Sequence, residues 1–333
     1  MYYSILHRFF YYFFTVIIYH SNLVSAIAPD YELGDTIRFK SSNPFSFYHI
    51  ITALDNQSPQ DVYGILRMPT NSFDKPIPLV IGVNGSKNWA DHHLEYLAMY
   101  REMGFATFEL QSFNSRNIKS TVGEQISVTT ATMILDAYMA LDKLSRDIRF
   151  DKNNIAITGW SLGGGVALFS AWKPIIDAIG VVPKFSQHLA FYPPCLVDIE
   201  LIDFSKSPIH ILIGELDDWV TAEACENLVD DLLQEGVNIG ITVYENAHHG
   251  FDREGPIQIE KNGYATGDCH FRMREDGALL MNIFNIPMIT PFRQKVSLAL
   301  CAKRGTKIGG NPIARKASFD FAKTFLNQNL VNE

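Results

Sequence analysis

The chain has 333 residues, of which 47% are hydrophobic and 19% are charged. A chain of this length and composition can bury a sizeable core, and a single α/β domain of ordinary size would use nearly all of it. The formal net charge is −8, so the sequence lacks the basic excess that binding to nucleic acid or to an anionic membrane surface requires. Nucleic acid is therefore excluded as an expected partner.

The first residues have the pattern of an export signal. Arg8 precedes an apolar run from Phe9 to Ile18, which leads to the small residues Ser25 and Ala26. This pattern predicts a signal peptide over residues 1–26 and a catalytic domain over residues 27–333. The alternative is an uncleaved anchor, although the apolar run has about half the ~20 residues that a spanning helix needs. We expect an exported protein, periplasmic or extracellular, with no stable membrane partner after signal removal.

Segments of strand and helix character alternate after the signal, which is the pattern of a mainly parallel sheet covered by helices. Short apolar runs bounded by Pro, Asn or Gly predict strands at residues 61–69, 77–83, 105–110, 154–158, 189–192, 209–213 and 241–244. Helical spacing of apolar residues predicts helices at residues 90–103, 123–144, 222–234 and 312–330. Residues 252–310 show no strong strand–helix unit and are interpreted as an insertion after the last core strand.

The strongest functional signal is the pentapeptide Gly159-Trp160-Ser161-Leu162-Gly163, which follows a predicted strand and opens a helix of small residues. A serine at a tight strand-to-helix turn needs little side chain around it, and the glycines provide that room. The turn lifts the hydroxyl above the sheet edge, where the helix N-terminus favours negative charge. The pattern predicts Ser161 as a nucleophile.

A serine hydroxyl needs a base to take its proton, and the hydrolase order along the chain is serine, acid, histidine. His248 and His249 follow the last core strand and are both candidates for the base. Glu215, Asp217 and Asp218 follow the strand before it and are candidates for the acid that orients the imidazole. We expect no metal, because further ligands at defined spacing are not evident.

The oxyanion that forms during acyl transfer needs two donors. One is predicted to be the backbone N–H of Leu162, directly after the nucleophile, and the other is expected in the loop after the strand at residues 77–83. Ser86 is the candidate in that loop. A simple loop without this role is the alternative.

With these residues assembled, the chain resembles the dienelactone hydrolase-like branch of the α/β-hydrolase fold. The resemblance rests on GILRMP at residues 64–69, GWSLGGG at 159–165, IGELDDW at 213–219 and YENAHHGF at 244–251. It implies that the acid is Asp217 and the base is His249. It also implies that Arg116 lies near the pocket and holds a substrate carboxylate, a surface arginine being the alternative.

Three positions depart from the family pattern and bear on the substrate. The namesake enzymes have a cysteine nucleophile, whereas Ser161 resembles the esterase-type members. Asn84 stands where related hydrolases often have histidine, and Thr221 stands where proline is common. Dienelactone itself is therefore not the expected substrate. Trp160, beside the nucleophile, is predicted to bind substrate.

These residues predict hydrolysis of an ester, lactone or thioester of a small acyl compound through an acyl-enzyme, without a cofactor. A peptidase or acyltransferase is an alternative, because one triad serves any acyl transfer. A non-catalytic exported binding protein with the same fold is the alternative from another class.

The insertion directly follows the histidine, so we expect residues 252–310 to form part of the pocket wall. Cys269 and Cys301 bracket its apolar stretch, and a bridge between them would stabilise the fold by a few kcal/mol in the chain-entropy account. Cys195 and Cys225 would then form the second pair. The other connectivities, and four free thiols, remain open.

Overall fold

A computed structural model describes residues 34–70, 75–282 and 284–330. The predicted signal peptide lies outside the described residues. The strands are β1 (Asp35–Ser42), β2 (Pro59–Arg67), β3 (Ile77–Val83), β4 (Ala106–Leu110), β5 (Phe150–Trp160), β6 (Gln187–Phe191), β7 (Val197–Ile199), β8 (Ile209–Gly214), β9 (Ile239–Tyr244), β10 (Gln258–Ala265), β11 (Phe271–Met273), β12 (Leu279–Leu280) and β13 (Lys303–Ile308). The helices are α1 (Phe47–Ala53), α2 (Asp91–Glu102), α3 (Thr130–Leu144), α4 (Leu162–Phe169), α5 (Lys173–Ile179), α6 (Ala222–Gln234), α7 (Pro291–Cys301) and α8 (Pro312–Leu330).

An eight-stranded sheet in the order β1-β2-β4-β3-β5-β6-β8-β9 forms the centre of the fold. The strands from β4 to β9 in that order pair in parallel, whereas β1 pairs with β2, and β2 with β4, in antiparallel fashion. The central strands are buried on both faces, which explains their continuous apolar sequences. The predicted fold class, an α/β-hydrolase sheet covered by helices, is confirmed.

The parallel strands end at one edge of the sheet, and this edge positions the functional side chains. Ser161 follows β5, Asp217 follows β8 and His249 follows β9. None of the described helices is long and apolar enough to cross a bilayer.

The predicted helix at residues 123–144 begins later than the sequence indicated. Helix α3 starts at Thr130, and the side chain of Thr129 caps it by accepting a hydrogen bond from the N–H of Thr132 at 3.2 Å. Gly123 and Gln125 have φ values of 87° and 53°, which are incompatible with a right-handed helix. The apolar residues upstream of Thr129 therefore belong to a loop.

The insertion has more regular structure than its sequence indicated. Strands β10 and β13 form an antiparallel pair, β11 pairs with β12 and β7, and α7 lies between β12 and β13. These strands are short or exposed on one side, so they lack the long apolar runs of the central sheet.

Two disulfides are present, and they are the expected pairs. Cys269 is bonded to Cys301 within the insertion, and Cys195 is bonded to Cys225 between the loop after β6 and helix α6.

The insertion returns to the edge of the sheet where it began. The N–H of Gly309 donates to the carbonyl of His249 at 3.2 Å, and the N–H of Lys307 donates to Oδ1 of Asp218 at 2.8 Å. The C-terminal end of the insertion is thereby held beside the loops that carry Asp218 and His249.

Candidate active site

Ser161 lies at a strained turn between β5 and α4. Its backbone has φ 56° and ψ −113°, a conformation that a non-glycine residue rarely adopts and that serine nucleophiles use. The turn leaves no room for neighbouring side chains. A Cβ on Gly159 would lie 2.1 Å from the carbonyl oxygen of Gly163, and one on Gly163 would lie 2.2 Å from that of Val83.

Ser161, His249 and Asp217 form a continuous hydrogen-bonded chain. Nε2 of His249 lies 2.9 Å from Oγ of Ser161, and Nδ1 lies 2.8 Å from Oδ2 of Asp217. The rings of Tyr192 and Trp219 pack against the imidazole, with centroids 4.7 and 4.8 Å away. His249 and Asp217 are both buried. The geometry is that of a nucleophile, a base and a residue that orients the base.

The other oxygen of Asp217 is also held. Oδ1 accepts hydrogen bonds from the N–H groups of Trp219 at 2.9 Å and Val220 at 3.0 Å. These bonds fix the carboxylate so that Oδ2 faces the imidazole.

The alternative acids and the alternative histidine have other partners. Asp218 accepts from the N–H of Lys307, and Glu215 accepts from the N–H of Asn246. Nδ1 of His248 lies 2.8 Å from the carbonyl oxygen of Leu216. None of these three side chains forms a described hydrogen bond to Ser161 or His249.

The two candidate oxyanion donors both lie beside Ser161. The N–H of Leu162 is at the first position of α4, where a helix has no carbonyl one turn earlier to accept it. The loop carrying Ser86 lies against the nucleophile turn, because a Cβ on Gly85 would be 3.1 Å from the carbonyl oxygen of Trp160. In the described part of the chain, no acceptor pairs with the N–H of Ser86.

The expectation that Arg116 binds substrate is wrong. Its guanidinium forms an ion pair with Asp136 on α3, with nitrogen–oxygen distances of 2.7 and 3.0 Å. It also donates to Asn43 Oδ1 and to the carbonyls of Ser112 and Ser42. The five N–H groups are thus occupied within the protein, and the side chain is only 7% exposed.

Trp160 lies beside Ser161, and its role in binding substrate stays a prediction. Its side chain is fully buried behind the nucleophile, where it stacks on His93 and Phe191. Nε1 donates to Oδ2 of Asp252 at 3.1 Å. The indole therefore supports the turn from behind, and Trp160 also borders a small cavity that touches Ser161 and His249.

Sequence reasoning missed a polar cluster behind the active site. Asp252 is completely buried, and its Oδ1 accepts from the hydroxyl of Tyr192 at 2.8 Å. His92 and His93 on α2 are 4% exposed and lie next to this cluster. Burial lowers the pKa of both imidazoles well below the usual value, so they are neutral at pH 7.

Two cavities meet at Ser161. The larger has a volume of ≈ 230 Å³ and touches Ser161, Leu162 and Ser86. The smaller, of ≈ 30 Å³, touches Ser161 and Ser86 as well as His249 and Tyr192. The insertion contributes Tyr264, Thr266, Phe271, Met273, Leu279, Met288, Gln294 and Leu298 to the wall of the larger cavity.

A mainly parallel sheet that carries a serine at a tight strand–helix turn, with an acid and a histidine after later strands, defines an α/β hydrolase. The chain belongs to the dienelactone hydrolase family, whose family model matches residues 96–275. That range contains Ser161, Asp217 and His249. Family membership supports hydrolase chemistry.

Comparison with solved structures agrees on the fold. A thermophilic esterase from the Planctomycetes species Thermogutta terrifontis, solved with propionate bound, is 15% identical, with a TM-score of 0.50 over 68% of this chain and 88% of that one. A Klebsiella pneumoniae protein described as a candidate dienelactone hydrolase is 19% identical, with a TM-score of 0.46 over 66% of this chain and 89% of that one. No match was found among curated proteins.

Proposed function

We propose that the protein is a serine esterase that hydrolyses small carboxylic esters, lactones or thioesters through an acyl-enzyme. The observation that carries the proposal is the chain of contacts from Ser161 Oγ through both nitrogens of His249 to Asp217, at 2.9 and 2.8 Å. Each contact is at the distance that proton transfer and imidazole orientation require.

In the first half of the proposed reaction, Ser161 Oγ attacks the carbonyl carbon while Nε2 of His249 takes the hydroxyl proton. The N–H groups of Leu162 and Ser86 bind the oxyanion. Collapse of the tetrahedral intermediate expels the alcohol or thiol, which receives the proton from His249, and leaves an ester on Ser161.

In the second half, water attacks the acyl-enzyme while His249 takes one of its protons. Collapse releases the carboxylic acid and returns the proton to Ser161. Asp217 accepts the Nδ1–H of His249 throughout, which holds the required tautomer and stabilises the imidazolium.

We place this activity outside the cytoplasm, in a mature chain that begins after residue 26. The two disulfides support this location, because disulfides persist in oxidising compartments and are rare in the cytosol.

The test is the activity of protein recovered from the exported fraction of a producing cell. We expect hydrolysis of p-nitrophenyl butyrate and covalent labelling by a fluorophosphonate, with peptide mass spectrometry locating the adduct on Ser161 and the first residue at Ile27. Turnover of peptide nitroanilides with no ester hydrolysis would assign a peptidase. Absence of both labelling and hydrolysis would assign a non-catalytic protein.

A further inference from the structure

The larger cavity at Ser161 has an apolar wall. Phe45 and Phe47 line it from the N-terminal region, and Phe169 lines it from α4. The insertion closes it with Phe271 and Met273. Aromatic and aliphatic side chains therefore surround the space next to the nucleophile.

Several polar groups in this wall are bonded to the protein. Nε2 of Gln294 donates to the carbonyl of Gln125 at 2.5 Å, and Nε2 of Gln125 lies 3.3 Å from Oγ of Ser86. The hydroxyl of Thr266 donates to the carbonyl of Trp219 at 2.6 Å. Among the described residues that line the cavity, none is Asp, Glu, Lys, Arg or His.

The two cavities are lined by different residues. This difference indicates which cavity holds the acyl chain of an ester and which holds its leaving group. The leaving group and the attacking water must both exchange a proton with His249, and the histidine borders the smaller cavity. The larger cavity borders Ser161 and both candidate oxyanion donors but is not lined by His249. The acyl chain therefore belongs in the larger cavity.

We propose that the acyl group which this enzyme accepts is uncharged and apolar, an inference that rests on the proposed esterase function. A carboxylate on the acyl chain would lose its hydration in the cavity without gaining a cation, which disfavours its binding there. Each CH₂ group of an apolar acyl chain instead gains from burial against the apolar wall. Arg116, which the sequence suggested as a carboxylate ligand, is occupied by Asp136.

A pair of esters with equal chain length tests the acyl group directly. With p-nitrophenyl pentanoate and mono-p-nitrophenyl glutarate, each corrected for spontaneous hydrolysis, we expect kcat/KM to favour the pentanoate by about 100-fold or more. Similar kcat/KM values for the two would overturn the apolar acyl site. Hydrolysis of neither ester would instead count against the esterase function itself.

A pair of variants at Gln294 tests whether the preference for pentanoate over glutarate depends on the larger cavity. Gln294 is partly exposed on α7 and its side chain reaches the cavity, so substitution there leaves the central sheet intact. Gln294→Lys should reduce the preference for pentanoate about tenfold or more, because it supplies a cation for the glutarate carboxylate. Gln294→Met is the neutral control and should keep the preference. An unchanged ratio in Gln294→Lys would contradict the placement of the acyl chain.

A second inference rests on the buried carboxylate of Asp252. Asp252 follows His249 by three residues, and it bonds Trp160, the residue before Ser161, at 3.1 Å. It also bonds the hydroxyl of Tyr192, whose ring packs against His249. The Asp252 side chain thus links the turn that carries Ser161 to the Tyr192 ring, which packs against His249.

We infer that Asp252 is a positioning residue that keeps Ser161 and His249 within hydrogen-bond distance of each other. This inference also rests on the proposed function. Burial raises the pKa of Asp252 to about 6. Both of its carboxyl oxygens accept hydrogen bonds, from the Trp160 indole and from the Tyr192 hydroxyl. Burial raises the pKa of Tyr192 well above its usual value, so its hydroxyl remains protonated.

Two substitutions at Asp252 separate its hydrogen bonds from its charge. Asp252→Asn can keep both contacts, since the amide oxygen can accept from Trp160 and the amide nitrogen can donate to the Tyr192 hydroxyl. Asp252→Leu removes both. We expect Asp252→Leu to lower kcat by about 10- to 100-fold, with KM for p-nitrophenyl butyrate unchanged, whereas Asp252→Asn should keep most of kcat.

The kcat values must be expressed per fluorophosphonate-titrated site, so that inactive molecules do not count. Full kcat per titrated site in Asp252→Leu would reduce Asp252 to a folding role, and equal losses in both variants would assign the effect to its charge. If Asp252→Leu does not fold, Tyr192→Phe removes one of the two bonds and should still lower kcat at constant KM. An unchanged kcat in that variant would overturn the inference.

Discussion

Replacing Ser161 or His249 with alanine is expected to lower kcat for p-nitrophenyl butyrate by about 10⁴-fold or more. The hydroxyl and the imidazole lie 2.9 Å apart, and each is ineffective without the other, because the serine must lose its proton as it attacks. The combined substitution should cost little more than either alone. Initial rates at high enzyme concentration, with fluorophosphonate labelling as a second measurement, give the size of both losses.

His248→Ala is the matched control for His249→Ala. The two histidines are adjacent and both are buried, but Nδ1 of His248 contacts the carbonyl of Leu216 and not the nucleophile. We expect this variant to keep most of its activity. Full activity in His249→Ala, or a comparable loss in His248→Ala, would reassign the base.

Asp217→Asn is expected to lower kcat by about 10⁴-fold while the fold is kept, because an amide at this position favours the wrong imidazole tautomer. Oδ2 of Asp217 lies 2.8 Å from Nδ1 of His249. The amide oxygen can still accept from the N–H groups of Trp219 and Val220, which would leave the amide nitrogen facing the imidazole. Steady-state kinetics with a thermal unfolding curve separates the loss of catalysis from any loss of stability.

Asp218→Asn provides the comparison, since its side chain lies one residue away and accepts from the N–H of Lys307. We expect a loss in kcat of about tenfold at most, because an amide oxygen can still accept that hydrogen bond. A larger loss of kcat in Asp218→Asn than in Asp217→Asn would assign the role of the acid to Asp218.

The parts of the fold that could be predicted are those whose apolar pattern is regular. The strand at Ile77–Val83 and the helices at Ala222–Gln234 and Pro312–Leu330 have the bounds that the sequence indicated. In these segments the apolar pattern and the turn residues agree. The start of α3 was wrong because the apolar residues before Thr129 suit either a helix or a packed loop.

The parts of the site that could be predicted are those fixed by local sequence. Ser161 was named from the strand end that it follows. The strand ends left several candidates for the acid and the base, and the family resemblance selected Asp217 and His249. These three residues lie in hydrogen-bond contact. Arg116 was misjudged because its partner, Asp136, is on another element, and only the folded chain brings the two together.

Asp252 was missed because one aspartate in a polar stretch carries no sign of burial. The signal available was its place directly after Phe251 in the segment that follows the histidine. Phe45 and Phe47 were also missed as cavity residues, because the first strand and helix had not been predicted at all.

The chain between Asp252 and Gly310 leaves the sheet beside His249 and rejoins it at the same residue, where Gly309 donates to the His249 carbonyl. Lengthening a segment whose two ends are fixed close together costs little free energy. Each doubling of a flexible loop adds about 0.6 kcal/mol of closure entropy. Sequence changes in this stretch that keep Asp252 would alter the cavity wall and leave Ser161, Asp217 and His249 in place. One contiguous segment of sequence can therefore evolve new selectivity without moving the atoms that do the chemistry.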